Sequence, residues 1–248
     1  MLADRGIQVF GWDQRGWGRS PKTKAEYGRT GTTDRVLKDV AAFIRDKLPS
    51  EVPVFVMGHS MGGGEVITLA ADPQYHDVVK QVRGWMLVAP YIGFAEGTEP
   101  SWLKVFLGRL TGRFLPHRQM KFPIAPEAVT SEPAAIEELR NDPLIHYTGT
   151  LEGLASLLDR TTLLSSGNIK MGDNVKSLWI GMAANEVVVS NPKTNVWADA
   201  QTTADKTVKT YEGKKHQLFR ETGNDEILGD IAKWILQRSE GEGAQAKL

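Results

Sequence analysis

Ser60 lies in Gly58-His59-Ser60-Met61-Gly62, between the apolar run Val54-Phe55-Val56-Met57 and a stretch with helical spacing. The pattern G-x-S-x-G at a strand-to-helix junction describes a turn so tight that the residues two before and two after the serine must lack side chains. Such a turn pushes the hydroxyl clear of the backbone. It also sets it at a helix N-terminus, where partial positive charge favours a developing oxyanion. The N–H of Met61 would be one oxyanion donor. Gly63 and Gly64 allow the helix to lie close against the sheet. The competing reading is a serine that merely caps the helix; strand, turn and helix together favour a nucleophile.

A serine hydroxyl is a poor nucleophile without a base, and the base needs an orienting partner. Of the five histidines, His59 lies inside the turn and is expected to point away from the hydroxyl. His76, His117 and His146 fall in helix-loop or insertion segments, where solvated or core roles are expected. His216, in Tyr-Glu-Gly-Lys-Lys-His-Gln-Leu-Phe, follows the last predicted strand, on the edge where the sites of parallel sheets gather. It is the expected base. The acid belongs just after Leu178-Trp179-Ile180-Gly181-Met182, but the residues there are Ala183-Ala184-Asn185-Glu186-Val187, without an aspartate.

These groups must be positioned by elements legible as apolar periodicity. Strands are expected at Ile7 to Asp13, Pro53 to Gly58, Gly84 to Pro90, Val175 to Ala183 and Lys206 to Gly213. Val36, Leu37, Val40, Phe43 and Ile44 mark a helix over about Thr33 to Leu48, and Met61 to Ala71 a second. Further helices are expected near Thr194 to Ala204 and around Ile227, Ile231, Trp234 and Ile235. Residues 97–164 interrupt this rhythm with helical segments, proline-rich loops and no strand pattern. They read as a cap inserted over one end of the sheet. Residues 239–248 read as a polar, frayed tail. Alternating strands and helices imply a single α/β domain with a mostly parallel sheet covered on both faces.

Composition narrows the functions. With 30 basic and 30 acidic residues the net charge is zero, which argues against a nucleic-acid partner. No cysteine is present, so disulfides and thiolate metal sites are excluded, and a reducing, cytoplasmic setting fits. No apolar run reaches the roughly 18 to 20 residues of a membrane span. Gln14 to Pro21 contains G-x-G but no third glycine at nucleotide-binding spacing, and no cofactor or metal is expected. Asp13 and Arg15 are expected to form a structural ion pair or a hydrogen-bond clamp for that loop rather than to act in catalysis.

Phe10 to Ser20, Gly58 to Glu65, Asn141 to Tyr147 and Lys209 to Phe219 together resemble the monoacylglycerol-lipase-like α/β-hydrolases of the serine aminopeptidase S33 superfamily, especially fungal members. The resemblance runs from Leu2 to about Leu236. It implies an eight-stranded sheet with a helical cap, and cofactor-free hydrolysis of an acyl ester, typically a monoglyceride, by a Ser-His-Asp triad. Carried over residue by residue, Ser60 is the nucleophile and His216 the base. The family's acid turn falls on Gly181 to Val187, with its aspartate on Asn185 and Glu186 as the adjacent alternative. Neighbouring side chains usually point different ways, so Glu186 is not expected to turn inward.

Met1 matches a point inside the family's first helix. The first strands and the oxyanion loop are therefore expected to be missing, as in an N-terminally truncated chain, leaving strand edges unpartnered. The expected function is an acylglycerol lipase or esterase working through an acyl-enzyme. The alternative is a catalytically impaired protein or truncated fragment of the same fold that binds a hydrophobic ligand or partner. An aminopeptidase would need an acidic pocket, and none is visible. In the cap, Trp102, Val105, Phe106, Leu110 and Phe114 share one helical face, with Lys104, Arg109 and Arg113 elsewhere. That face, with Trp102 and Phe106 foremost, either packs on the mouth of the sheet or admits an acyl chain and touches a membrane or lipid droplet.

Overall fold

Val36, Leu37, Val40, Ala41 and Ile44 recur every three or four residues, and all five are buried along one side of α1 (Thr33–Arg45). β1 (Val54–His59) follows, then α2 (Met61–Ala71), whose residues Gly63 to Ala70 are all buried. A short α3 (His76–Val79) leads into β2 (Val82–Val88). The cap then comprises α4 (Trp102–Phe114), β3 (Gln119–Lys121), α5 (Pro126–Val129), α6 (Pro133–Asn141), β4 (Thr148–Thr150) and α7 (Leu151–Ser165). The chain returns through β5 (Ser177–Ala183), α8 (Asn191–Asp199), β6 (Asp205–Tyr211) and α9 (Asp225–Gly243). This computed structural model describes residues 2–243.

The main sheet is parallel throughout, in the order β1-β2-β5-β6. Successive side chains of its central strands enter opposite layers. Trp85, Leu87, Leu178 and Ile180 pack with α1, α2 and α8, while Met86, Val88 and Trp179 pack with α9. Burial on both faces explains why these strands read as continuous apolar runs rather than as alternation. The fold is that of the α/β-hydrolases, a parallel sheet with helices on both faces, though the described residues supply four strands to the main sheet where the resemblance implies eight.

Four expectations are corrected. Ile7 to Asp13 forms no strand. A strand requires a ladder partner, and this run instead lies across α1, with Trp12 stacked on Phe43 at 5.2 Å and Lys47 4.5 Å above the Phe10 ring. Val9 and Phe10 remain exposed. The cap does contain strands, since β3 and β4 pair antiparallel; at three residues each they are too short to show a period. The tail expected from Ser239 continues α9 through Gly243, and 244–248 lie outside the described residues. Asp13 and Arg15 also act separately. Asp13 accepts the Arg19 N–H at 3.0 Å, whereas Arg15 pairs with Asp39 at 2.6 Å.

The cap is fastened in two ways. Arg160 of α7 meets Glu65 of α2 at 3.5 Å, with each side chain 5% exposed. Gln14 donates to the same Glu65 oxygen at 3.1 Å, and Arg160 donates to Thr33 Oγ1 at 3.0 Å. On the opposite side, residues 127–132 bond to the loop after β6. Gln217 N–H donates to Val129 O at 2.7 Å, Ser131 N–H to Glu221 Oε1 at 2.6 Å, and Lys215 Nζ to Glu127 O at 2.6 Å. Helix α4 is held less deeply. None of its residues is buried, and Val105, Gly108 and Gly112 are the half-covered ones, with Gly112 close over Leu151.

Candidate active site

β1 ends at His59 and α2 begins at Met61, which leaves Ser60 alone to turn the chain. Its φ of 52° and ψ of −120° lie where a side chain is strained, at a cost of about 1–3 kcal/mol. The surroundings enforce that conformation. Ser60 N–H donates to Val88 O at 3.0 Å, and Tyr91 N–H donates to Ser60 O at 2.8 Å. A Cβ on Gly58 would come within 2.4 Å of Gly62 O. Gly62 itself has open space where a Cβ would stand, so the expected steric requirement there is not met. It falls one residue later, on Gly63, where a Cβ would reach Pro90 Cβ at 2.8 Å. Met61, as the first residue of α2, has an N–H without a partner inside the helix, beside the serine.

His216 Nε2 lies 2.8 Å from Ser60 Oγ, and His216 Nδ1 lies 2.8 Å from Glu186 Oε2. The side chains of His216 and Glu186 are 5% and 1% exposed. A carboxylate only accepts, so the Nδ1 proton must be donated to Glu186, which leaves Nε2 free to accept from the serine hydroxyl. The other Glu186 oxygen accepts the N–H groups of Val188 at 2.8 Å and Val189 at 3.3 Å. Burial pushes the Glu186 carboxyl up, but the His216 ring and those two N–H groups outweigh it, and the balance lies below the usual carboxylate range.

The acid position thus differs from the expected one. Asn185 is exposed, and its N–H donates to Lys214 O at 2.9 Å, which pins the turn beside the His216 loop. Consecutive side chains do point opposite ways here; it is Asn185 that faces solvent and Glu186 that faces the imidazole. The extra methylene of glutamate lets the carboxylate curl back onto its own loop while still reaching the ring.

Among the described residues no other histidine side chain is hydrogen-bonded to Ser60. His76 bonds Asn174 at 2.7 Å and His117 bonds Arg29 at 2.8 Å. His146 is stacked between Trp17 and Tyr27. His59 does turn away from the hydroxyl, with Nε2 3.1 Å from His216 O. Trp102 and Phe106 are not gathered at the site either. They stand on α4 with 77% and 57% of their surfaces exposed. Among the described residues no cluster of His, Cys, Asp or Glu could hold a metal ion, and no helix is long and apolar enough to cross a membrane.

This sheet, cap and hydrogen-bonded serine–histidine–carboxylate chain fit the α/β-hydrolase fold. The chain belongs to the serine aminopeptidase S33 family, which matches residues 1–223. A Schizosaccharomyces pombe protein of the monoglyceride lipase type is 27% identical over 242 residues. That match covers 96% of this chain, which spans 62% of the relative's length. Among solved structures, monoacylglycerol lipase from Paleococcus ferrophilus superposes with a TM-score of 0.80 at 21% identity, covering 96% of this chain and 86% of that one. A soluble variant of Saccharomyces cerevisiae monoglyceride lipase, solved with a substrate analogue, gives 0.79 at 21% identity, covering 92% and 76%.

Proposed function

We propose that the protein is a serine ester hydrolase acting on acylglycerols, monoacylglycerols foremost, through an acyl-enzyme. The observation that carries this reading is the unbroken chain from Glu186 through His216 to Ser60. His216 Nε2 takes the hydroxyl proton as Ser60 Oγ attacks the ester carbonyl, and Glu186 stabilises the imidazolium that forms. The Met61 N–H faces the developing oxyanion. The imidazolium then gives its proton to the departing alcohol. A water, deprotonated by the same ring, releases the fatty acid and restores Ser60.

Fluorophosphonate labelling tests this reading. The purified protein should label at Ser60, and Ser60→Ala should not. Failure of the wild type to label would favour the alternative, a catalytically impaired protein of this fold that binds a hydrophobic ligand.

An acylglycerol is presented from a lipid surface, and the cap is suited to meet one. Trp102, Leu103, Phe106, Leu107, Leu110, Phe114 and Leu115 are exposed together, beside Lys104 and Arg113. An apolar helical face with basic neighbours partitions into an anionic interface. Replacing Trp102 and Phe106 with serine removes two aromatic anchors, worth roughly 1.5–3 kcal/mol each when buried. Partitioning onto phosphatidylserine-containing vesicles in a flotation assay should fall at least about tenfold. Undiminished flotation would remove the cap from the docking role.

A further inference from the structure

His59 precedes the nucleophile by one residue, and the turn that lifts Ser60 sends the two side chains to different parts of His216. Ser60 Oγ meets the imidazole, while His59 Nε2 meets the carbonyl oxygen of the same residue at 3.1 Å. A carbonyl only accepts, so His59 carries its proton on Nε2 and donates it. The N–H at the other end of that peptide unit, on Gln217, donates to Val129 O at 2.7 Å. The peptide following the base is therefore gripped from both ends, by the end of β1 and by the cap. The two imidazoles stand 4.8 Å apart and tilted by 49°, so His59 also bounds one side of the His216 ring.

We propose that His59 is a positioning residue that fixes the backbone of His216 and so sets the distance from its imidazole to Ser60. This role rests on the hydrolase reading above. His59 does not carry protons in the reaction. Burial, with His216 beside it, lowers its pKa to about 4, so it is neutral at ordinary pH and adds no second positive charge when His216 becomes an imidazolium. Glu186, the nearby acid, acts in the opposite direction and is outweighed.

The test compares His59→Leu, which fills the space but cannot donate, with His59→Gln, whose carboxamide can reach the carbonyl. Fluorophosphonate labelling rates and ester kinetics are measured beside thermal melts. Losing a bond worth about 1.4 kcal/mol corresponds to a tenfold effect. His59→Leu should thus label Ser60 and turn over ester about tenfold more slowly, with KM unchanged, and His59→Gln should recover most of that loss. Should His59→Leu fail to melt cooperatively, His59→Asn replaces it, since its shorter amide falls short of the carbonyl. Wild-type labelling by the non-donor variant, equal losses in donor and non-donor variants, or a change confined to KM would each overturn the role. A wild type that fails to label overturns the hydrolase reading and this role with it; a labelled wild type beside an unaffected non-donor variant overturns this role alone.

Discussion

Glu186→Gln should lower kcat about ten-thousandfold, whereas Asn185→Ala should leave it within about twofold. The asymmetry follows from what each glutamate oxygen does. One accepts two backbone N–H groups, from Val188 and Val189, and the other accepts the Nδ1 proton of His216. In the amide variant the remaining carbonyl oxygen is drawn to the two N–H groups, which turns the NH2 toward Nδ1. The imidazole must then accept at Nδ1 and carry its proton on Nε2, facing Ser60, where it cannot take the hydroxyl proton. The reverse orientation restores the tautomer but sets NH2 against the two N–H donors. Asn185 contributes only its backbone to the turn, so losing its exposed side chain changes nothing at the ring. Equal losses in the two variants, read by kcat on an ester substrate, would remove Glu186 from the acid role.

The second large effect concerns Arg160. Arg160→Met leaves Glu65 buried beneath the cap with Gln14 as its remaining hydrogen-bond partner among the described residues, and removing one member of a buried pair costs about 3–5 kcal/mol. The paired variant Arg160→Met with Glu65→Leu should recover most of this, because two apolar side chains carry no desolvation cost. Urea denaturation at neutral pH measures both. The single variant also has a pH signature. Burial raises the Glu65 carboxyl, and the Arg160 charge opposes that rise. Without the arginine, the folded-state pKa stands further above the unfolded value. The deficit is then full above the folded pKa and shrinks as pH falls through it toward the ordinary carboxylate range. A deficit that does not vary with pH would mean that lost packing, rather than the stranded charge, causes the instability.

Much of this architecture is visible in residue order. The stripe Val36–Val40–Ile44 carries a helical period, β1, β2 and β5 stand out as continuous apolar runs, and Gly58 meets a steric requirement of the turn. His216 could be singled out because the loop after the last strand converges on the nucleophile. The acid could not be placed from spacing alone. Which of Asn185 and Glu186 faces inward depends on the Asn185-to-Lys214 backbone bond and on the room for one more methylene, and both are properties of the folded loop. Ile7 to Asp13 misled for a related reason: apolar content records a preference for an extended chain, but a strand exists only beside another strand. The exposure of Trp102 and Phe106 was equally hidden. The helical period of α4 groups its apolar side chains without saying that Val105, Gly108 and Gly112 form the side turned to α7.

The bonds from residues 127–132 to Lys215, Gln217 and Glu221 give the two halves of the cap different freedoms. Displacing α5 would pull on the loop that carries His216 and, in the hydrolase reading proposed above, disturb the alignment of its imidazole with Ser60. Among the described residues no hydrogen bond ties α4 to that loop, and its ion pair, Arg109 with Asp159, runs to α7 instead. The imidazole's place is thus set partly from outside its own loop, by a segment nearly ninety residues earlier in the chain.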